Sequence, residues 1–438
     1  MKLGLIAMSG VRAENSELTR LGLTLPGFVE RNRVVASLPS LALLTLAGMT
    51  PPEIELSYLE VDNLDAQDVL PSDLDAVAIS SYTAQIKQAY RLADRYWRAG
   101  TKVILGGLHV SAMPEEAARH GDAIVLGEAE PVWPQIVSDL QSNRLAPIYD
   151  ARPKQFDLGE APIPRFDLLD PERYNRITVQ TQRGCPLSCE FCASSIRISP
   201  KFKIKPVDKV ISEIRAIKAI WPSPFIELAD DNTFANKAHA KRLVRALAGE
   251  NIRWFTETDI SVADDDDLLA MLADAGCAQL LIGLEAPGRA GLDGLETKTN
   301  WKAKRADDYL AAIEKIQGHG ITVNGCFILG LDSQGPDSFD AVSAFVRQSA
   351  LYEVQVTLQT PFPGTPLYDR LHRDGRLLAD DAWEKCTLFD VTFEPDRMSV
   401  DELESGFHGL VAELYSRDFT RWRKGAFRRV RRTGPVAL

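Results

Sequence analysis

Three cysteines fall close together in the chain, at Cys185, Cys189 and Cys192. Thiolates are the soft ligands that iron–sulfur clusters take, and such clusters are commonly held by cysteines that are near one another in sequence. A 4Fe–4S cube has four irons, so three local cysteines leave one iron open to a small molecule. Two alternatives remain open here. One is a zinc knuckle, although zinc usually takes four ligands and the next His or Cys is His239. The other is three core cysteines.

The residues around these cysteines narrow the choice. Gly184 precedes the first cysteine and Phe191 precedes the third, in a C-x3-C-x2-C pattern. This pattern resembles the signature of radical S-adenosylmethionine (radical SAM) enzymes. The resemblance implies that the three cysteines are the catalytic metal ligands, that the open iron binds SAM, and that one electron cleaves SAM to a 5′-deoxyadenosyl radical. It also implies an electron donor such as flavodoxin or ferredoxin, and it places Phe191 near the SAM adenine.

The composition limits the remaining possibilities. A chain of 438 residues exceeds one ordinary core, so two or three domains are expected. The net charge of −11 argues against nucleic-acid binding, which needs a basic face. No apolar run is long enough to cross a bilayer, and the first ten residues lack the cleavage site of a signal peptide. Six cysteines in so long a chain do not suggest a disulfide scaffold, so we expect a cytoplasmic protein.

Strand patterns alternate with helix patterns from residue 1 to about residue 143. Such alternation predicts an α/β domain of parallel strands joined by right-handed crossovers, here a five-stranded, doubly wound (Rossmann-like) sheet. The predicted strands are Lys2–Met8, Ile54–Val61, Ala76–Ser80, Lys102–Gly107 and Ala123–Gly127.

Sheets of this class bind ligands beyond the carboxyl ends of their strands. Small or polar residues stand there, where backbone has to come close to a ligand. No G-x-G-x-x-G follows the first strand, which argues against a dinucleotide. The candidate binding residues at these ends are Ser9, Gly10, Ser80, Ser81, Gly106, Gly107, His109, Gly127 and Glu128.

The G-G-x-H segment at 106–109 and the G-E-A-E segment at 127–130 carry a second resemblance. They are similar to the cobalamin-binding domain of cobalamin-dependent radical SAM enzymes, among them hopanoid methylases and the anaerobic cyclase of chlorophyll biosynthesis. The likeness covers about residues 1–370. The loop at 9–13 lacks the D-x-H-x-x-G of domains that bind cobalt through histidine, which implies cobalamin without a protein histidine on cobalt. The alternatives are a domain that has lost this ligand and, for His109, a loop histidine bonded to backbone instead of a contact to the corrin or its nucleotide tail.

Prolines at 147, 153, 162, 164 and 171 interrupt any helix or central strand, so residues 144–175 are predicted to form an extended linker. Residues 176–370 then alternate strand and helix through six strands. This repeat predicts a partial (βα)6 barrel of the TIM type, with its chemistry at the C-terminal ends of the strands. The predicted strands are Ile177–Gly184, Phe225–Asp230, Arg253–Ser261, Gln279–Glu285, Ile321–Leu329 and Glu353–Thr360.

Polar residues at those strand ends are candidate SAM contacts. Asp230 and Asp231 end the second strand, where the resemblance places the contact to the SAM amino group, and acidic groups suit an ammonium. The alternative is an N-cap for the helix that begins near Asn236. Thr258 lies on the third strand, and Glu285 of the fourth is a candidate contact to the ribose. Which neighbouring side chains face inward depends on register.

The last part of the chain, residues 371–438, is predicted to be helical with a basic end. Val400–Trp422 has an apolar face that suits packing across the barrel. Beyond it, arginines and Lys424 cluster with aromatic residues. Such a tail is a solvated or disordered end, a peripheral membrane contact, or a docking site for an acidic partner.

Together these patterns favour a cobalamin-dependent radical SAM methyltransferase. The resemblance implies that one SAM methylates cobalt, that another supplies the radical, and that methylcobalamin delivers methyl to an unactivated carbon of the substrate. A radical oxidoreductase, cyclase or rearrangement enzyme of the same architecture remains an alternative, as does a non-catalytic iron–sulfur or corrin-binding sensor. The substrate is expected to be a small or lipid-like molecule, and no motif identifies it.

Overall fold

The computed structural model describes residues 1–10, 18, 38–66, 70–193 and 201–433. Residues 11–13 of the loop considered above lie outside the described residues, as do 434–438 of the basic tail. The first unit is a parallel sheet in the order β2-β1-β3-β4-β5-β6. Its strands are β1 (Lys2–Met8), β2 (Glu55–Val61), β3 (Ala76–Ser81), β4 (Lys102–Gly106), β5 (Ala123–Leu126) and β6 (Ile148–Asp150).

This sheet confirms the doubly wound class and has one strand more than the five expected. The sixth strand, β6, comes from the predicted linker. Ile124 N donates to Pro147 O at 2.9 Å, and Ala151 N donates to Leu126 O at 2.8 Å. A three-residue strand is too short to give a periodic signal, and prolines beside it are compatible with a position at the sheet edge.

Helices cover both faces of the sheet, which explains why its strands are almost continuously apolar. Leu3 and Leu5 pack on one face, with Trp133, and Ile6 and Ile79 pack on the other. The helices of this unit are α1 (Leu41–Met49), α2 (Ile86–Arg98), α3 (Leu108–Ala112), α4 (Pro114–Ala117) and α5 (Trp133–Gln141).

The predicted linker is extended beyond β6, as expected from its prolines. The hydroxyl of Tyr174 donates to Glu60 Oε1 at 2.7 Å, and that of Tyr58 donates to the same oxygen at 2.9 Å. These bonds tie the end of the linker to β2. Its only regular turns are three short 3-10 helices at Leu158–Glu160, Phe166–Leu168 and Pro171–Arg173, among the residues described there.

The second unit is the predicted six-stranded parallel barrel sheet, in the order β14-β13-β12-β11-β10-β7. A separate antiparallel ribbon, β8 with β9, flanks the cysteine loop. The strands are β7 (Ile177–Val179), β8 (Gln182–Arg183), β9 (Lys203–Ile204), β10 (Phe225–Leu228), β11 (Arg253–Thr258), β12 (Cys277–Glu285), β13 (Thr322–Leu329) and β14 (Glu353–Leu358).

Alternate residues of each barrel strand pack outward against helices, as the period of a strand requires. Val323 and Phe327 of β13 belong to the large apolar core, whereas Asn324 and Cys326 lie on the opposite, inner side. The helices are α6 (Val207–Ile220), α7 (Lys237–Ala248), α8 (Asp266–Asp274), α9 (Arg289–Leu292), α10 (Trp301–Arg305), α11 (Tyr309–Gly318), α12 (Asp337–Ser349) and α13 (Pro366–Arg373).

Two helices end the chain, α14 (Val400–Leu414) and α15 (Arg417–Thr433), where the sequence predicted one helix and a basic end. Arg423 is fully buried. Its guanidinium donates to Tyr352 O at 2.7 Å and pairs with Glu353, so the buried charge has partners. Part of the basic cluster is therefore core structure at the N-terminal end of β14. Within the described residues, no helix has the length and apolarity needed to cross a membrane.

Candidate active site between the two domains

The three cysteines share the loop that follows β8. Cys189 is buried, while Cys185 and Cys192 are half-buried. The six cysteines of the chain, all within the described residues, form no disulfide. Burial raises the pKa of Cys185 to about 11 and that of Cys189 to about 12, and the neighbouring thiols add to both shifts. The three thiols are thus close enough to influence one another, and their ionisation requires a cation such as cluster iron.

No three His, Cys, Asp or Glu side chains of the described ranges converge on the position of a single metal ion. Each cysteine of an iron–sulfur cube binds a different iron, so the three thiols need not meet at one point. Three thiols on one loop, with no fourth cysteine beside them in the sequence, fit a cube that keeps one iron free of protein.

Glu296 fixes one side of the cysteine loop. Its carboxylate accepts hydrogen bonds from the backbone nitrogens of Ser188 at 3.2 Å, Lys298 at 3.1 Å and Thr299 at 2.8 Å. Burial acts to raise the pKa of Glu296, but hydrogen bonds led by those from Thr299 outweigh it and hold the pKa at about 2. An ionised carboxylate therefore joins the loop to the segment after α9.

Glu190 fixes the other side of the loop. Arg370 Nη2 donates to Glu190 Oε1 at 2.8 Å, and Leu367 N donates to Glu190 O at 3.1 Å. Arg370 also pairs with Asp332 at 2.7 Å. Because Glu190 lies between the second and third cysteines, helix α13 holds the loop against the end of the barrel.

The two predicted aspartates have different environments. Asp230 is buried, and its carboxylate accepts from the backbone nitrogens of Thr181 at 2.7 Å and Gln182 at 3.0 Å. Burial raises the pKa of Asp230 to about 6, against the effect of these bonds. Asp231 lines the space between the domains and adds to the raised pKa of Cys185. Asp230 thus braces the turn from β7 to β8, while Asp231 faces the cysteine loop.

Glu285 ends β12 in a left-handed conformation with φ +63°. Lys302 Nζ lies 2.8 Å from Glu285 Oε1 and 2.9 Å from Gly283 O, and both charged side chains are buried. Their charges also act on the pKa of Cys189. The predicted ribose contact is therefore already one half of an ion pair beside the cysteine loop.

Thr258 and Phe191 lie near the same end of the barrel. Thr258 is buried, and its hydroxyl donates to Asn232 Oδ1 at 3.1 Å. Phe191 is half-buried against the barrel core. Asn236 caps helix α7 by accepting from His239 N at 3.0 Å, so neither aspartate fills the capping role considered above.

Polar groups face the inside of the barrel. Glu257 is half-buried there, and burial, followed by Glu227 and three further carboxylates, raises its pKa to about 8. Asn324 is 1% exposed, and neither of its amide atoms has a hydrogen-bond partner among the described groups; the same holds for Gln279 Oε1. Buried polar groups are normally paired, so a ligand inside the barrel would satisfy them.

A cavity of about 290 Å³ opens between the sheet unit and the barrel. From the barrel side it is lined by residues that include Asp231 and Arg183. The residues predicted for cobalamin that line it are Ser80, Gly106, Gly107, Gly127 and Glu128. Apolar residues that sequence reasoning did not select also line it, namely Leu43, Leu46, Ile104, Val125 and Trp133.

This lining fits the nucleotide tail of cobalamin, which is a flat apolar ring joined to polar groups. Gly107 has φ +118°, and a Cβ there would lie 3.5 Å from both Ser80 Oγ and Ser81 O, in the space beside the strand ends. Glycine keeps backbone accessible at this point. The chemistry of the lining is therefore compatible with cobalamin.

Three predicted residues near these strand ends do not belong to the cavity lining. Ser9 is buried, and its backbone nitrogen donates to Val61 O at 2.9 Å. Gly10 has φ +82°, which makes it a turn residue after β1. Ser81 Oγ donates to Tyr82 O at 2.8 Å. The contacts of these three residues stabilise the ends of β1 and β3.

His109 also lies away from the cavity. It is buried on helix α3, with Nε2 at 3.2 Å from Glu116 Oε1. Trp383 Nε1 donates to the other oxygen of Glu116 at 3.1 Å, and its ring lies 5.1 Å from the His109 ring. His109 therefore belongs to a contact between the sheet unit and the C-terminal part of the chain, and its bonding partner is a carboxylate.

Sequence reasoning also missed charged residues at the domain contact. Arg183 Nη1 donates to Glu128 Oε1 at 2.9 Å, and Arg183 Nη2 donates to Glu130 Oε1 at 2.7 Å. Lys203 pairs with the second oxygen of Glu128. Arg183 and Glu130 stood inside the two recognised motifs, which was the available signal. The pairing of Lys302 with Glu285, 17 residues away, had no local signal in the sequence.

Comparison with known families matches two separate segments of the chain. Residues 179–346 match the model of the radical SAM superfamily, and residues 32–137 match that of the B12 binding domain. The chain therefore carries a radical SAM domain together with a B12-binding domain, the combination expected of the predicted family. A third match covers residues 365–433 of the enzyme and concerns a domain of unknown function. The predicted family is confirmed.

Named relatives of the enzyme cover most of its length. It is 28% identical to bacteriochlorophyllide d C-12(1)-methyltransferase of Chlorobaculum tepidum, over 82% of this chain and 79% of that one. It is 26% identical to hopanoid C-2 methylase of Rhodopseudomonas palustris, over 81% and 68%. It is 24% identical to anaerobic magnesium-protoporphyrin IX monomethyl ester cyclase of Rubrivivax gelatinosus, over 75% and 63%.

A solved structure shares the whole architecture of the enzyme. It is the radical SAM methyltransferase TsrM of Kitasatospora setae, with cobalamin and a 4Fe–4S cluster bound, which superposes with a TM-score of 0.67 at 13% identity over 99% of both chains. The predicted combination of a Rossmann-like sheet and a partial barrel is confirmed. The families assign SAM, a 4Fe–4S cluster and cobalamin to the enzyme as cofactors, and the cysteine loop and cavity fit them.

Proposed function

We propose that the enzyme methylates an unactivated carbon of a small or lipid-like substrate, by way of a 5′-deoxyadenosyl radical. The observation that carries this proposal is a shared chamber. Arg183 and Asp231, beside the cysteine loop, line the same cavity as Gly106 and Gly127 of the other domain. A methyl donor has to reach the carbon on which the radical forms, so both cofactor sites have to open onto one space.

When bound, the cluster supplies the electron that cleaves SAM, and cobalamin supplies the methyl carrier. Cys185, Cys189 and Cys192 hold the cluster and leave one position for SAM. We assign the SAM amino group to Asp231, which lines the cavity and acts on the pKa of Cys185, and a bracing role to Asp230, which holds the turn at Thr181 and Gln182. The other proposed contacts of SAM are Phe191, Thr258 and the Glu285–Lys302 pair.

The inside of the barrel orients the reacting molecules. Asn324 offers amide atoms that lack partners among the described groups, and Glu257 offers a carboxyl group whose pKa is raised by burial and neighbouring carboxylates. Deeper in the barrel, the rings of Phe225 and Phe255 stack with centroids 5.5 Å apart. These rings add apolar surface inside the barrel, and exclusion of water protects a carbon radical from side reactions.

The domain division follows from these assignments. We propose a cobalamin unit at 1–150, which moves the first boundary from residue 143 to include β6, and a linker at 151–175. The radical SAM barrel keeps its range at 176–370, and the C-terminal region begins at residue 371. The sheet register of β6 with β5 supports the shifted boundary.

A second candidate is a radical oxidoreductase or cyclase that uses the same chamber without methyl transfer. The observation in its favour is the similarity to a relative named as a cyclase. A non-catalytic sensor is less compatible with the polar interior of the barrel, where the amide atoms of Asn324 and Oε1 of Gln279 lack partners among the described residues.

The proposed chemistry requires two further conditions. A one-electron donor such as flavodoxin or ferredoxin has to reduce the cluster. The six thiols, none of them in a disulfide, support a reducing compartment, which we propose to be the cytoplasm. Contact of the tail with a membrane is not part of the proposal, because Arg423 fixes α15 near the N-terminal end of β14, remote from the cavity.

The test is to incubate the reduced, reconstituted enzyme with SAM labelled in its methyl group and with tetrapyrrole and hopanoid compounds, the classes named for its relatives. Methyl transfer predicts 5′-deoxyadenosine and S-adenosylhomocysteine in equal amounts, with label in the product. Formation of 5′-deoxyadenosine without S-adenosylhomocysteine would support the oxidoreductase or cyclase. Failure to cleave SAM under every condition would favour the sensor.

Matched cysteine variants control this experiment. Cys189→Ala is expected to abolish cleavage of SAM, since Cys189 is a proposed cluster ligand. Cys277→Ala is expected to retain cleavage, because Cys277 is buried at the start of β12, where its thiol lies 3.6 Å from Gln279 O. Equal loss in both variants would show that the assay reports folding and not ligation.

A further inference from the structure

Arg183 stands at the centre of the contact between the two cofactor-binding domains. Its guanidinium bonds to Glu128 and Glu130, which follow β5 of the sheet unit, at 2.9 and 2.7 Å. The side chains of Arg183, Glu128 and Glu130 are 20%, 6% and 8% exposed. Charges this far from water are poorly screened, and loss of one partner from such a group is costly.

Two further polar side chains, those of Gln180 and Lys203, bond to Arg183 or to its carboxylate partners. Gln180 Oε1 also accepts from Arg183, at 2.9 and 3.1 Å. Lys203, which is opposite Arg183 in the β8–β9 ribbon, pairs with Glu128. The ribbon therefore presents two cations to two carboxylates, and the contact is balanced in charge. An isolated surface pair would not have this arrangement.

Arg183 lies between the cysteine loop and the wall of the cavity. It stands two residues before Cys185, and Glu128 directly follows Gly127, which lines the cavity. A planar guanidinium that bonds in two directions restricts rotation more than a single-point contact does. The cysteine loop and the cavity wall are thus joined by one side chain.

We propose that Arg183 is a positioning residue that fixes the separation between the cluster and the cobalamin. It acts through Glu128 and Glu130, which hold the cavity wall in one register against the β8–β9 ribbon. This inference rests on the binding of both cofactors and not on the outcome of the reaction, so it survives if the enzyme proves to be a cyclase.

The test measures distance in the full chain carrying cluster and cobalamin. Pulsed electron paramagnetic resonance reports the coupling between the reduced cluster and Co(II) cobalamin. The native protein is expected to give one narrow distance distribution. Arg183→Lys and Arg183→Gln are expected to widen that distribution at least twofold, with iron and corrin contents unchanged. An unchanged distribution would overturn the proposal, and so would loss of corrin, which would assign Arg183 to corrin binding.

Two further variants separate positioning from folding. Arg423→Lys disturbs another buried arginine pair, that with Glu353, at the opposite end of the barrel, and it should leave the distribution unchanged. Glu130→Gln keeps the shape of its side chain and removes one charge of the contact, and it should widen the distribution as the Arg183 variants do. If the Arg183 variants do not fold, Glu130→Gln serves as the test. A wider distance distribution in Glu130→Gln would support the proposal, and an unchanged distribution would overturn it.

A second measurement needs no cofactor. Hydrogen–deuterium exchange of the backbone at 127–130 is expected to accelerate at least tenfold in Arg183→Gln and to stay native in Arg423→Lys. Native exchange in Arg183→Gln would overturn the proposal even in a preparation that binds no cobalamin. If the native protein binds no cobalamin but exchange is accelerated in the variant, the proposed function is overturned. The role of Arg183 in the contact between the domains would still be supported.

Discussion

Lys302 Nζ lies 2.8 Å from Glu285 Oε1 inside the barrel, beside the cysteine loop. Burial acts against the charge on Lys302, but Glu285 and Cys189 outweigh it and raise the pKa of Lys302 above its usual value. A cation is therefore kept beside the thiol of Cys189, one of the proposed cluster ligands. The pair connects β12 with α10, and the predicted ribose contact depends on it.

Replacement of Lys302 by methionine is expected to destabilise the protein by about 3–5 kcal/mol, because Glu285 remains buried without its cation. The double variant Lys302→Met/Glu285→Gln should regain most of this stability, since no unpaired charge is left. Equilibrium denaturation of both variants measures the difference, with the exposed Lys304→Met as control. A double variant as unstable as Lys302→Met would contradict the pairing.

Glu296→Gln is expected to loosen the cysteine loop. Ser188 and Lys298 bond one oxygen of Glu296 and Thr299 bonds the other, so an amide nitrogen in place of either oxygen loses part of this set and the negative charge, at a cost on the order of 2 kcal/mol. The variant should lose iron at least severalfold faster than native protein during anaerobic gel filtration. Glu314→Gln, an exposed change on α11, is the control. Equal iron retention in all three proteins would rule out the anchoring role.

The same carboxylate predicts a dependence on pH. The pKa of Glu296 is held at about 2, below its usual 4.5, so the folded form releases its proton more readily than the unfolded form. The stability it contributes is present above about pH 4.5 and is lost as pH falls towards 2. The stability difference between native protein and Glu296→Gln should therefore shrink between these values, and a constant difference would contradict the assignment.

Glu257 predicts the opposite dependence. Burial and neighbouring carboxylates raise its pKa to about 8 from the usual 4.5. The contribution of Glu257 to the free energy of unfolding is complete below about pH 4.5. It is lost as pH rises through 8, at up to about 1.4 kcal/mol per pH unit. In cofactor-free protein, Glu257→Gln should therefore become progressively more stable than native protein from pH 5 to 8 and then level off. A difference that does not change with pH would show that Glu257 ionises normally.

The cavity can be filled without touching the barrel. Ala78 is buried on β3 and lines the cavity, so Ala78→Phe should lower corrin retention at least tenfold and leave iron unchanged. Overpacking costs about 1–3 kcal/mol wherever it occurs. The matched control is Ala93→Phe, which overpacks the other face of the sheet. Equal corrin retention in the two variants would place the cobalamin elsewhere.

Much of the fold was predictable, because strand and helix periods are local properties of the sequence. The grouping of three cysteines on one loop was predictable for the same reason, and their role as cluster ligands stays a prediction. The strand β6 was missed, since three residues beside a proline carry no period. The paired Asp230 and Asp231 looked equivalent in sequence, and only the turn at Thr181 decides that one is bonded internally.

Long-range charge pairs were not predictable. Arg183 and Glu128 are 55 residues apart, and Arg423 and Glu353 are 70 apart. No local pattern indicates which distant carboxylate an arginine meets. The composition of the tail suggested a solvated or membrane-bound end, whereas the fold buries Arg423 by supplying the carbonyl of Tyr352 and a carboxylate.

We expect one chain to hold a cluster and a cobalamin on either side of a common cavity. The most direct measurement is the corrin and iron content of protein made anaerobically with cobalamin and reconstituted with iron and sulfide. Binding of both cofactors predicts about one corrin and about four irons per chain, with a corrin spectrum that lacks an axial nitrogen ligand. A full complement of iron with no corrin would contradict it and would leave the sheet domain without its proposed ligand.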